Sequence, residues 1–297
     1  MPVHPDYSPP DTRRLEQFVA VAECATLADA AQRLFITQQA LSTAIRRLER
    51  ELGVTLFHRT HRRLTLTDAG QELLDGARPL LAGGRRLTEA VRRTAARQPE
   101  HFTVGHSPAL SGTEVFGLLE AAFARTPHTS VTVRQIFPDA VRPDLGSGAV
   151  DLVLRRGVSS PIGLNSAILA YQPMRLAVAA DHPLAGRECI RIAEDLQHHP
   201  VIVWAPEHHS FYTDFLVSHC RRAGIEPDLR INHVQGTPPS TAALVDQQAC
   251  VFVTDDAGPT LGGRVVVMDF DTPPLSPVQA LWLPHTVSRF RDELLHD

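Results

Sequence analysis

The stretch Thr37-Gln38-Gln39-Ala40-Leu41-Ser42-Thr43-Ala44-Ile45-Arg46-Arg47-Leu48-Glu49-Arg50-Glu51-Leu52-Gly53 decides the fold of the first third of the chain. Leu41, Ala44, Ile45, Leu48 and Leu52 recur at helical spacing and so face a core. Thr37 has the side chain of a helix N-cap, and Gly53 has the backbone freedom of a C-terminal stop. The opposite face carries Gln38, Gln39, Ser42, Thr43, Arg46, Arg47 and Arg50. Its short polar and amide groups lie toward the N-terminal end, with guanidinium groups behind them. A DNA major groove demands that layout, amides and hydroxyls near base edges and cations near phosphates. Taken alone, the face also fits a solvated helix whose Arg46 pairs locally with Glu49 or Arg50.

Working outward, Leu15, Phe18, Val19 and Ala22 form one helical face. Thr26 and Asp29 have the spacing of a capping box. Leu27, Ala30, Ala31 and Leu34 then make a second short stripe. The tight Phe35-Ile36-Thr37 connection completes a helix-turn-helix. Downstream, Leu56-Phe57-His58-Arg59 and Leu64-Thr65-Leu66 flank His61-Arg62-Arg63, a hairpin with a basic tip that suits phosphates or a minor groove. Residues 1–11 hold four prolines and no periodicity, which predicts a disordered leader. Thr67 caps a long helix reaching about Gln98. Within it Leu73, Ala77, Leu80, Gly84, Leu87 and Val91 are spaced as a coiled-coil seam. The alternative is an amphipathic helix packed on its own chain. Pro79 and Gly83-Gly84 predict a kink.

From residue 99 the pattern becomes strands alternating with helices. Strands are expected at 101–105, 131–136, 151–154, 174–180, 201–204, 229–233, 250–253, 264–268 and 278–283. Helices are expected at 112–125, 139–147, 210–223, 238–247 and 287–296. The β-α-β-α-β start implies a parallel sheet. Gly157 to Gly163 is expected to carry the crossover between two subdomains. Ligands of such sheets sit beyond the carboxyl ends of the strands. The loops meeting there give the candidate effector site: Ser107, Pro108, Ala109 and Ser111; Phe137 and Pro138; Trp204 and His208; and Thr237. Pro238 and Pro239 remove two N–H donors, which weakens the cleft as a simple carboxylate trap, and Trp204, Phe137 and the hydroxyls suggest a flatter or partly apolar ligand. The bland alternative makes Trp204 and Phe137 core and the histidines surface.

Composition narrows the function classes. The 297 residues are 43% hydrophobic and 21% charged, ordinary for a globular chain. No apolar run reaches the roughly 18–20 residues of a membrane span, and the first residues lack the pattern of a secretory signal. The expectation is a cytoplasmic protein with no membrane partner. Every basic residue is Arg. Residues 1–98 hold 15 Arg against 11 acidic residues, and residues 99–297 hold 14 against 22, a basic module joined to an acidic one. Cys24, Cys189, Cys220 and Cys250 form no C-x-x-C pair, so they read as reduced, buried thiols. Signatures of hydrolases, P-loops and zinc peptidases are absent. His198-His199 and His208-His209, near Glu207 and Asp214, imitate a metal site but read as solvated loops. No metal, cofactor or catalytic residue is expected.

The run Leu41-Ser42-x-x-Ile45-Arg46-Arg47-Leu48-Glu49-x-x-Leu52-Gly53-x-x-Leu56-Phe57-x-Arg59, followed by Leu64-Thr65-Leu66-Thr67-x-Ala69-Gly70, resembles the LysR-type transcriptional regulators. Phe18-Val19-Ala20-Val21-Ala22-Glu23 and Ala30-Ala31-x-x-Leu34 fit too. So, in order, do Gly148-x-x-Asp151-Leu152, Ala180-Asp181-His182-Pro183-Leu184-Ala185 and the run from Cys220 to Pro227. Gln39 stands where the family commonly has Pro, and Thr43 where a long basic or amide residue is common. Asp246-Gln247-Gln248-Ala249 replaces a Gly-containing turn.

The resemblance implies an α/β architecture with an N-terminal winged helix-turn-helix (residues 12–66) and a long dimerising linker helix (67–98). A C-terminal effector domain similar to a periplasmic binding protein (99–297) follows. Its subdomain I is expected at about 99–160 and 268–297, and subdomain II at about 161–267. It implies a homodimer through the linker, a dimer of dimers, and promoter DNA with inverted-repeat half-sites. Gln38, Gln39, Ser42 and Thr43 face bases, and Arg46, Arg47, Arg59, Arg62 and Arg63 neutralise phosphates. A small-molecule effector modulates activity. The competing class is a solute-binding protein or enzyme of similar α/β fold.

Overall fold

A computed structural model of the chain describes residues 11–59, 64–96, 99–284 and 286–296. The expected leader, at residues 1–11, lies outside them apart from Asp11. The chain divides into two units, residues 1–91 and 92–297.

In the first unit, α1 (Thr12–Glu23), α2 (Leu27–Arg33) and α3 (Gln38–Leu52) precede a hairpin of β1 (Phe57–Arg59) and β2 (Leu64–Leu66), then α4 (Asp68–Ala95). Each helix start has its sequence cause. Asp11, Thr26 and Thr37 accept from the amides of Arg13, Asp29 and Ala40. Gly53 stops α3 in the left-handed region at φ 69°. Phe18, Leu41, Leu48 and Leu56 are wholly buried, and Leu74, Ala77 and Leu81 of α4 join the same core. Gly70 is required by close approach, because a Cβ there would stand 2.2 Å from the Leu56 carbonyl oxygen. Thr67 caps α4 through the Gly70 amide. The helix is continuous through Pro79.

The second unit holds two sheets. Its elements are β3 (His101–His106), α5 (Gly112–Arg125), β4 (Ser130–Gln135), α6 (Val141–Ser147), β5 (Leu152–Arg156), β6 (Asn165–Pro173), β7 (Arg175–Ala179), α7 (Ile192–Asp195), β8 (Val201–Val203), α8 (Phe211–Arg222), β9 (Leu229–Ile231), α9 (Ala242–Val245), β10 (Cys250–Val253), β11 (Gly258–Thr260), β12 (Val265–Asp269), β13 (Leu275–Trp282) and α10 (Arg289–Leu294). The first sheet runs β4-β3-β5-β13-β6, and the second β11-β12-β7-β10-β8-β9.

Three expectations are corrected. The sheets are mixed: β3 is parallel to β4 and β5, but β13 is antiparallel to both β5 and β6. Strands β6 and β11 were not foreseen. The subdomain boundary also moves, because β6 pairs with β13 along its whole length and so belongs to the first sheet. The chain therefore crosses at Met174, not at 157–163, and returns before Leu275. The Met174 amide donates to the Pro274 carbonyl, which ties the two crossings together. Subdomain I thus extends through Pro173, and β12 with its Met268 and Asp269 stays in subdomain II. Before β10 the turn needs no glycine. The Asp246 carboxylate accepts from the Gln248 amide and its carbonyl from the Ala249 amide, an Asx-type turn.

Cys220 and Cys250 are buried, and burial pushes their thiols up to about 11 and about 12. Cys24 is half-buried and Cys189 exposed, so the expectation of four buried thiols fails at Cys189. Among the described residues, no helix is long and apolar enough to cross a membrane.

Candidate functional site

On α3 the face predicted to meet DNA is turned outward. Gln38, Gln39, Thr43, Arg46 and Arg47 are exposed and Ser42 is half-exposed, while Leu41, Ile45 and Leu48 hold the helix to the core. Local bonds organise this face. The Thr43 hydroxyl donates to the Gln39 carbonyl at 2.9 Å. Arg47 is held by Glu51 at 3.1 Å, and Glu51 also takes Arg14 of α1. These two guanidinium groups hold the Glu51 carboxyl below the usual range against the opposing effect of desolvation.

Glu49 is not a partner of Arg46. Its Oε1 accepts the Leu56 amide at 2.9 Å and the Phe57 amide at 3.4 Å, fixing the start of the hairpin against α3. A shallow concavity joins Thr37, Gln39, Thr43 and Arg47 to Arg13, Arg14 and Gln17 of α1. Sequence reasoning passed over these three α1 residues, because their only signal was a pair of arginines at a helix start. Arg62 and Arg63 lie outside the described residues, and of Arg59 only the backbone position on β1 is described.

In the second unit the loop after β3, the turn after β4 and the loop after β8 converge as expected. Ser107, Pro108, Ala109, Pro138 and Trp204 line an inner pocket of about 60 Å³ together with Val141, Arg155, Arg156, His209, Ser210 and the first residues of α8, Phe211 and Tyr212. An open groove of about 760 Å³ adjoins it across Pro138, Trp204 and His209, and Phe137 lines that groove. Trp204 is at once buried and a wall of both spaces.

Ser111 is buried and does not line the pocket, because it caps α5 in a reciprocal box with Glu114. His208 points elsewhere: its ring is exposed and its amide donates to Asp214 at 2.7 Å. Its neighbour His209 takes the pocket position, a choice that two adjacent histidines left open. Thr237 is exposed and bonded to Thr241. Glu207, His208 and Asp214 bring donor atoms within 4.8 Å of one another. Glu207 is engaged by Arg221 at 2.5 and 3.1 Å, so this cluster is an ion-paired surface loop.

Beneath the pocket lies a buried ion pair. Arg156, 1% exposed, donates to Glu114 at 2.7 and 3.0 Å, to the Ala109 carbonyl, to Gln172 and to Thr254. Glu114 also accepts from the Thr254 hydroxyl. Thr254 follows β10, so this network joins subdomain II to subdomain I. Arg155, on the opposite face of β5, donates to the Gln279 side chain and the Ser159 carbonyl. Desolvation lowers its pKa, and no carboxylate offsets it.

Two family models cover the chain. Residues 12–71 match the bacterial regulatory helix-turn-helix protein, lysR family, and residues 95–296 match the LysR substrate binding domain. The HTH-type transcriptional regulator AlsR of Bacillus subtilis is 31% identical over 74% of this chain and 72% of its own length. The regulator TfdT of Cupriavidus pinatubonensis is 34% identical over 70% of this chain and 91% of its own. In fold, the chain resembles the LysR family regulator CbnR in complex with its target DNA, with a TM-score of 0.57 at 23% identity over 96% of this chain and 99% of that one. An N-terminal helix-turn-helix that presents a polar and cationic α3, joined to a two-subdomain effector domain, therefore has a single reading: the chain belongs to the LysR family and is a DNA-binding transcriptional regulator with an effector-binding domain, not an enzyme.

Proposed function

We propose that the regulator acts in the cytoplasm as a homodimer joined through α4, and as a dimer of such dimers, on promoter DNA bearing inverted-repeat half-sites. Gln38, Gln39, Ser42 and Thr43 read base edges. Arg46, Arg47, Arg59, Arg62 and Arg63 neutralise phosphates, and Arg13 and Arg14 extend that set. The observation that carries this reading is the guanidinium of Arg46, which stands exposed on α3 and has no ion-pair partner among the described residues. Its nearest candidate, Glu49, is committed to the hairpin. Support for pairing through α4 comes from its outer face, where Leu80, Leu87 and Val91 are 48%, 67% and 61% exposed while Leu74, Ala77 and Leu81 are buried. A second apolar stripe on one helix is what a partner helix covers.

The effector binds in the cleft bounded by Ser107, Pro108, Ala109, Phe137, Pro138 and Trp204, with His209 in the position first given to His208. Binding there favours one closure of the subdomains about Met174 and the returning segment, and so changes how the paired DNA-binding domains are presented. Only differential affinity for the two closures can drive that shift. The test is a mobility-shift experiment on the full-length protein with the DNA upstream of its own gene. A retarded complex that persists over competitor DNA supports the reading. Absence of any complex at low ionic strength overturns it, since phosphate contacts are strongest there.

A further inference from the structure

We infer that Glu51 is a positioning residue that sets the selectivity of α3 for DNA: its carboxylate ties the guanidinium groups of Arg47 and Arg14 together and withholds them from indiscriminate phosphate binding. The inference rests on α3 being the element that meets DNA. It starts from a division among the arginines of α3. Arg46 and Arg50 are exposed and have no ion-pair partner among the described residues, and the Arg50 Nε turns back to the Arg46 carbonyl at 3.4 Å. Arg47 differs. Its side chain is 61% exposed, yet its Nε donates to one Glu51 carboxylate oxygen at 3.1 Å. The other oxygen accepts from Nη1 of Arg14, on α1. One acid thus serves two cations that belong to different helices.

Local chemistry does not favour an acid here. Glu51 lies in the last turn of α3, where the helix dipole disfavours negative charge. Desolvation also works against its ionised form, yet the hydrogen bonds from Arg47 and Arg14 prevail and lower its pKa. A surface bridge of this kind adds little to stability, so its consequence is where it keeps the cations. Arg14 and Arg47 line the shallow concavity that also carries Gln39 and Thr43, whereas Glu51 does not line it. Three arginines of that rim, Arg13, Arg14 and Arg47, therefore stand with two acids, Glu51 and Asp11, and Asp11 is engaged in capping α1 through the Arg13 amide.

A free surface arginine takes any phosphate and adds a sequence-independent increment of affinity with each counterion released. A bridged arginine adds less, because it must give up part of its bridge. That cost is recovered in a complex whose base contacts hold a phosphate against this rim, and it is not recovered in other registers. Specificity is a difference of affinities, so a counter-charge that penalises wrong complexes raises it as a favourable contact does. The bridge to α1 also fixes Arg14 and Arg47 relative to each other before DNA arrives, which leaves less ordering to be done in the right complex.

The experiment measures binding of the full-length protein to the DNA upstream of its own gene and to a scrambled duplex of equal length, at several salt concentrations. Glu51→Gln is expected to tighten the scrambled duplex about tenfold and to steepen its slope of log K against log salt by about 1. The upstream fragment is expected to gain far less, so the ratio of the two affinities falls. In a protein carrying Arg14→Gln and Arg47→Gln, the same Glu51→Gln change is expected to leave the slope unaltered. Circular dichroism and thermal melting show that each variant is folded, and Glu51→Ala gives the same readout if the Gln variant melts early. A lower melting temperature with an unchanged slope makes the bridge merely structural and overturns the inference. So does an equal steepening in both backgrounds, which reports net charge alone, or an equal gain for both duplexes. Arg46→Ala separates this inference from the reading beneath it. If Arg46→Ala weakens both duplexes while Glu51→Gln changes neither, α3 stands as the DNA face and only the role of Glu51 falls. If neither variant alters binding, both fall.

Discussion

Ser42 and Arg46 stand one turn apart on α3 and should fail differently when truncated. Ser42→Ala is expected to change the preference among base pairs by about 1–3 kcal/mol, the value of a good base contact. Arg46→Ala should instead weaken all sequences alike and reduce the slope of log K against log salt by about 1. Titrations of specific and scrambled duplexes at several salt concentrations separate the two. A uniform loss for Ser42→Ala would remove it from the base-reading set. His106 offers a second test at this scale. It is buried at the end of β3 with its Nδ1 3.1 Å from the Ser107 carbonyl oxygen, and burial holds its pKa below the usual histidine value. The unfolded chain therefore takes up a proton at a pH where the folded chain does not. The associated stability is complete above the unfolded pKa and is lost as pH falls toward the folded one. Melting temperature should drop between about pH 7 and pH 5, and His106→Gln should flatten that drop.

Among the elements, α4 carries two apolar stripes with separate duties. Leu74, Ala77 and Leu81 anchor the helix to the DNA-binding core, whereas Leu80, Leu87 and Val91 stand in solvent. Leu87→Glu should leave the melting of the first unit within about 0.5 kcal/mol of wild type, as expected of an exposed site. It should also shift the sedimentation coefficient toward the monomer. An unchanged sedimentation profile would locate dimerisation elsewhere. The periods of α1 and α3 were legible in the sequence because each buries one face and wets the other, with caps at Thr26, Thr37 and Gly53 as read; the seam read on α4 is corrected in its first part, because Leu73 and Ala77 pack on the helix-turn-helix core and only Leu80, Leu87 and Val91 stay outward. Strand β6 was not legible. Its run Asn165-Ser166-Ala167-Ile168-Leu169-Ala170-Tyr171-Gln172-Pro173 has no strict alternation, and the glycines before it looked like a boundary. Only its pairing with β13, distant in sequence, gives it a place. The same holds for the pocket. Ser107, Pro138 and Trp204 were found because strand ends announce themselves. Arg155 was not, because nothing local distinguishes it from Arg156, and the partner that separates them, Glu114, lies on another element.

At the scale of the molecule, Arg156 is where the two subdomains of the effector unit share a buried charge. Removing one member of such a pair typically costs about 3–5 kcal/mol, because the other is left buried and alone. Arg156→Met should therefore lower the denaturant midpoint of the effector unit steeply, and Arg156→Met with Glu114→Gln should recover part of the loss. If the double variant is no better than the single, the pair is not the seat of the effect. The paired strands β6 and β13 have a separate consequence. Pro173 and Leu275 are direct partners across that ladder, so everything from 174 to 274 departs and comes back through neighbouring positions. Topologically the second lobe is a guest grafted onto one end of a hairpin. Replacing it with an Asn-Gly turn should yield a miniature of the first lobe that still folds, with strand content readable by circular dichroism and no response to any effector.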